Sequence, residues 1–72
     1  MFNLDDDRLV GEVGLVTTRI LGGLHPGEVQ MHFQGGSASF VAYSQDEIER
    51  GASVLVVGRR PGRALDVTRF DG

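Results

Sequence analysis

Short runs of β-branched and aromatic residues alternate with glycine-bearing breaks from residue 9 to residue 70. That rhythm constrains the fold more than any other feature of the chain. The run EVQMHF is its clearest unit: Val29, Met31 and Phe33 fall on one face, Glu28, Gln30 and His32 on the other. A strand of this kind lays one face on a core and the other in water.

The same reading extends along the whole sequence. Residues 9–20, LVGEVGLVTTRI, form a long first strand in which Gly11 and Gly14 mark a bulge or bend, as a small closed barrel needs. Residues 21–27, LGGLHPG, are a loop ending on Pro26 and Gly27. QGG is a short hairpin connection, its Gly35 and Gly36 supplying positive φ. SASFVAY is the third strand, with Phe40 and Tyr43 as its bulky members. In SQDEIERG, Ser44 or Asp46 caps a short helical turn that Gly51 ends in the left-handed conformation. The fourth strand, ASVLVVG, is apolar at consecutive positions 54–57, the pattern of a strand buried on both sides or twisting through a barrel. Pro61 and Gly62 form a β-turn, and the fifth strand directs Leu65 and Val67 inward, Asp66 and Thr68 outward.

These elements predict an all-β protein: a small five-stranded Greek-key barrel (OB-fold) with a short helical turn between strands 3 and 4. An SH3-like barrel is the competing small-barrel arrangement. Residues 9–70 make the barrel domain, and residues 1–8 are a lead-in, disordered or added by cloning.

With 72 residues there is room for one domain. A chain of that size buries only about 60% of its unfolded surface, so its stability is expected to be modest or helped by a partner. The apolar share of 40% and charged share of 24% describe an ordinary globular domain. Cysteine is absent, which removes disulfides and thiolate metal sites. No apolar run is long enough to span a bilayer, and the acidic opening MFNLDDDRLV is unlike a signal peptide.

Site chemistry is sparse. The net charge is −3, and no basic residue falls between Arg19 and Arg50, so the second and third strands lack a cation. Single-strand binding needs a basic groove with stacking aromatics. Only Arg59, Arg60 and Arg63 of the last hairpin, with Arg69, make a positive cluster, and they read first as a solvated turn balanced by nearby acids. His25 and His32 supply two imidazoles where a metal site needs three or four ligands. No serine sits in a strained elbow, and the glycine pairs lack the lysine and helix of a phosphate loop. The sequence thus assigns no catalytic residue, no metal and no cofactor, and predicts a protein that is not an enzyme.

The segments LVGEVGLVTTRI, HPGEVQMHFQGGSASFVAYS, IERGASVLVVG and ALDV together resemble the C-terminal soluble domain of NfeD-like membrane proteins. The matching positions are Leu9, Val10, Gly11 and Gly14, then Pro26, Gly27 and Val29, then Gly35, Gly36 and Ala42. They continue through Ile48, Gly51, Val54, Val56 and Val57 to Leu65 and Val67. The resemblance implies an OB barrel on the cytosolic face of the membrane, part of a longer protein associated with stomatin- or flotillin-type scaffolds. It implies a protein partner or self-association, with Tyr43 and Phe70 as candidate contacts. Nucleic acid, through Arg59, Arg60, Arg63 and Arg69, is the alternative partner.

Overall fold

The computed structural model describes residues 9–71. The expected lead-in at residues 1–8 lies outside the described residues. Five strands follow in order: β1 (Val13–Thr18), β2 (Gly27–Phe33), β3 (Gly36–Tyr43), β4 (Ser53–Arg60) and β5 (Ala64–Arg69). They close into a barrel in the order β1-β2-β3-β5-β4. The β3–β5 contact is parallel and all others are antiparallel. This is the five-stranded Greek-key barrel expected from the sequence.

The alternation read from the sequence sets the core. Leu9, Val16, Ile20, Val29, Met31, Phe40, Ala42, Ile48, Val54, Val56, Leu65 and Val67 are all buried. Burying each large aliphatic side chain stabilises the fold by about 1.5–3 kcal/mol relative to exposure. Phe33 and Phe40 meet edge-on at 6.4 Å between ring centroids.

Two local expectations change. The long first strand is shorter: β1 begins at Val13, and Leu9 reaches the core from a tight turn that Gly11, at φ 94°, reverses. The irregularity in β1 lies between Val16 and Thr18, not at a glycine. Gly14 serves close packing instead, because a Cβ there would collide with the Met31 sulfur and sit 3.1 Å from the Gln30 carbonyl oxygen.

The second change concerns the segment after β3. No α-helix occurs among the described residues, and residues 44–52 run as bends, an isolated bridge and a turn. Ile48 exchanges two 2.9 Å backbone hydrogen bonds with Ile20. Its buried side chain joins the core. A single helical turn fixes many dihedrals for few hydrogen bonds, whereas this bridge satisfies both backbone groups of Ile48 and buries its side chain. The cap survives in another form: Ser44 Oγ accepts a hydrogen bond from the Asp46 N–H at 3.3 Å. Gly51, at φ 92°, turns the chain into β4.

Candidate functional site

The outer surface of the barrel is built from the strand positions that do not enter the core, and it has two unlike walls. On β2 and β3 the outward pairs are Glu28 with Val41, Gln30 with Ser39 and His32 with Ser37. Apart from Val41 this wall is polar, and Gln30 Nε2 donates to Ser37 Oγ across it at 3.2 Å.

On β1 and β4 the outward positions are Val13, Leu15 and Thr17 beside Ser53, Leu55 and Val57. Register places Val13 opposite Leu55 and Leu15 opposite Ser53. Phe70, whose N–H donates to the Ser53 carbonyl, extends the row beyond β5. Val13 is 43% exposed, Val57 53% and Phe70 39%. None of these positions carries a charge. A contiguous uncharged apolar wall on so small a domain is the kind of patch that marks an interaction site.

Beyond Val57 the wall meets a cleft of about 360 Å³, lined by Tyr43, Asp46, Val57, Arg60, Asp66 and Thr68 among others. A register shift between Val56 and Gly58 makes Val57 the extra residue of a bulge in β4. The bulge reverses the alternation for the rest of the strand. Arg59 therefore pairs with buried Leu65, and Arg60 pairs with Ala64 on the outside. Arg60 stacks on the Tyr43 ring, 3.8 Å from its centroid, and its Nε donates to Asp66 Oδ1 at 2.8 Å.

Arg63 and Arg69 are also held. Arg63 lies 5.1 Å from the Phe40 ring centroid and donates to the Ser39 carbonyl. Arg69 makes a two-pronged contact with Glu49, 2.6 and 3.1 Å. The hydrogen bond from Arg69, then that from Glu49's own backbone, together with the nearby positive charge, lower the Glu49 carboxyl to about 2. Arg59 Nε is buried without a hydrogen-bond partner among the described residues. The last hairpin thus does not present its arginines as a fan of free cations. They are spread over the barrel mouth, the Tyr43 shelf, the Phe40 ring and the end of β5. Tyr43 is half-buried under Arg60, while Phe70 stands on the apolar wall. Sequence reasoning missed Val13, Leu15 and Leu55 as surface residues, although their alternation with Gly14, Val16, Val54 and Val56 was a signal that could have found them.

His25 and His32 are both exposed, and no group of three or more metal-ligating side chains converges among the described residues. No described helix is long and apolar enough to cross a membrane.

Comparison with known proteins agrees with this architecture. The soluble domain of the NfeD protein YuaF from Bacillus subtilis is 33% identical, with a TM-score of 0.78 over 92% of this chain and 79% of that one. The C-terminal domain of stomatin operon partner protein 1510-C from Pyrococcus horikoshii shares the fold, with a TM-score of 0.72 at 24% identity over 92% of this chain and 94% of that one. No curated protein matches the chain closely enough to count as a relative. The sequence profile of the NfeD C-terminal domain matches residues 13–68, which span all five strands but the last residue of β5. The chain therefore belongs to the NfeD C-terminal domain family, a non-catalytic kind of domain.

Proposed function

We propose that this domain is a protein-interaction module that docks through the apolar wall of β1 and β4, as part of a longer NfeD-type membrane protein on its cytosolic side. The partner is a scaffold protein of the stomatin or flotillin class, contributing an apolar face of its own. The single observation that carries this reading is the uncharged wall of Val13, Leu15, Leu55, Val57 and Phe70. Leaving it in water forgoes burial worth about 25 cal/mol per Å² of apolar surface. The choice of partner class is supported by the description of the fold relative from Pyrococcus horikoshii as a stomatin operon partner protein.

The arginine geometry counts against nucleic acid as the partner. Arg60 is neutralised by Asp66 and covers the one tyrosine face that a base would need. The test is a pull-down from host membranes with the unmodified domain and with a Leu15→Glu/Val57→Glu variant, with and without nuclease. The proposal expects a stomatin- or flotillin-type protein in the first eluate, its loss from the second, and no effect of nuclease. Equal recovery by both forms would remove the wall from the account.

A further inference from the structure

The β2–β3 hairpin reaches past its neighbours. Its two strands pair without a break from Gly27 opposite Ala42 to Phe33 opposite Gly36. On the far side of β3, β5 pairs only with Val41, Ala42 and Tyr43. The barrel closes through that short contact, because a turn at Pro61, Gly62 and Arg63 carries the chain aside before Ala64 begins β5. The start of β3, from Gly36 to Phe40, therefore has no strand on that side among the described residues.

Backbone groups alternate in direction along a strand of an antiparallel pair. The Val41 N–H points away from β2 and donates to the Arg63 carbonyl at 2.9 Å. By that alternation Ser39 and Ser37 also turn their N–H and C=O groups away from β2. The Ser39 carbonyl agrees, accepting from the Arg63 guanidinium at 3.3 Å. The Ser37 N–H, the Ser37 carbonyl and the Ser39 N–H have no partner among the described residues, and both serines are exposed. These groups lie along an edge of about 10 Å, at roughly 3.3 Å per residue.

We propose that this edge takes up an extended acidic peptide segment of a partner protein as an added strand beside Ser37 and Ser39. The edge itself sets the conformation of the occupant. Main-chain donors and acceptors at strand spacing are matched by an extended backbone, whereas a helix has already bonded its own groups. Charge sets the composition. Arg63 lies along the edge, 5.1 Å from the Phe40 ring centroid. Like Arg59 two strands away, it has no carboxylate within ion-pair distance among the described residues. The inner face of the added strand would lie beside Ala38, which is partly buried against the core and suits an apolar side chain. The edge is short and Arg63 must release the Ser39 carbonyl, so the affinity is low. This site is separate from the β1–β4 wall and does not rest on it.

Amide NMR with hydrogen exchange on the 72-residue chain tests the proposal. The probes are a short blocked peptide alternating valine with glutamate and its valine–lysine counterpart. The acidic peptide should shift the signals of residues 36–39 and slow exchange of the Ser37 and Ser39 amides, and the lysine peptide should bind about tenfold more weakly or worse. Ser39→Pro deletes a donor that β2 does not use, at an edge position that admits proline, and should weaken binding by about tenfold or more. Arg63→Glu leaves the edge amides in place and should reverse the preference between the two peptides. Unchanged dispersion of the remaining signals will show that each variant keeps its fold. No response at residues 36–39 with millimolar peptide overturns the proposal, as does a response confined to β1 and β4. Equal binding of the two peptides, or undiminished binding by the folded variants, overturns it as well.

Discussion

The β2–β3 wall and the β1–β4 wall cover the same core with strands of similar length, yet they meet solvent differently. Behind the first lie Val29, Met31 and Phe40, and behind the second Val16, Val54 and Val56, all buried. On the outside, Glu28, Gln30, His32, Ser37 and Ser39 are matched to water, whereas Val13, Leu15, Leu55 and Val57 are not. Core formation therefore explains the inward residues of both walls and the outward residues of neither. The polar wall satisfies the usual half-buried strand. The outward residues of the apolar wall are not accounted for by the barrel's own core, and the proposed docking rests on them.

The largest expected effects lie inside, where the two walls should respond alike. Met31→Ala beneath the polar wall and Leu65→Ala on β5 beside the apolar one should each cost about 2–5 kcal/mol in chemical denaturation. A cost near zero for either would mean that its wall does not rest on the packed core described here.

Partner capture should separate the walls. Leu15→Glu should reduce recovery of the partner by about tenfold or more, while Gln30→Glu should leave it unchanged. Both should alter stability by only about 1 kcal/mol or less, since strand preferences at surface sites span that range. Comparable losses from both variants would abolish the distinction.

A smaller effect is expected for nucleic acid. The domain should bind a labelled single strand weakly or not at all at low salt, and Arg59→Glu/Arg60→Glu should change little. Tight binding that falls steeply with salt and vanishes in the variant would instead make the arginine face the functional one.

The smallest concerns the ion pair beside the apolar wall. Because Glu49 is lowered from 4.5 to about 2 by Arg69, its contribution is fully present above the ordinary carboxylate range and is lost as pH falls toward 2. The pair is exposed, so the contribution is small. Acid titration of stability should show a shallower decline between about pH 4.5 and 2 in Glu49→Gln than in the unmodified chain. An identical decline in both would dissociate the ion pair from stability.

How far the sequence reveals this molecule varies by level. Strand alternation is a local property, so Val29, Met31, Leu65 and Val67 were legible as core and the five-stranded barrel followed. The non-helical course of residues 44–52 was not, because it depends on Ile48 finding Ile20 far away in sequence. The placement of the arginines was not legible for a similar reason. Strict alternation sends Arg60 inward, and only the bulge at Val57 sends it outward onto Tyr43 and Asp66. Tyr43 and Phe70 were legible as candidates but not as differently placed, one roofed by a cation and the other open on the wall.

The most direct test of the account is site-specific photocrosslinking in host cells, with the reactive residue at Leu15 in one sample and at Gln30 in another. The account predicts a discrete adduct with a stomatin- or flotillin-type protein from Leu15 and none from Gln30. An adduct formed only from Gln30, or equally from both, would contradict the claim that the apolar wall is where this domain meets its partner.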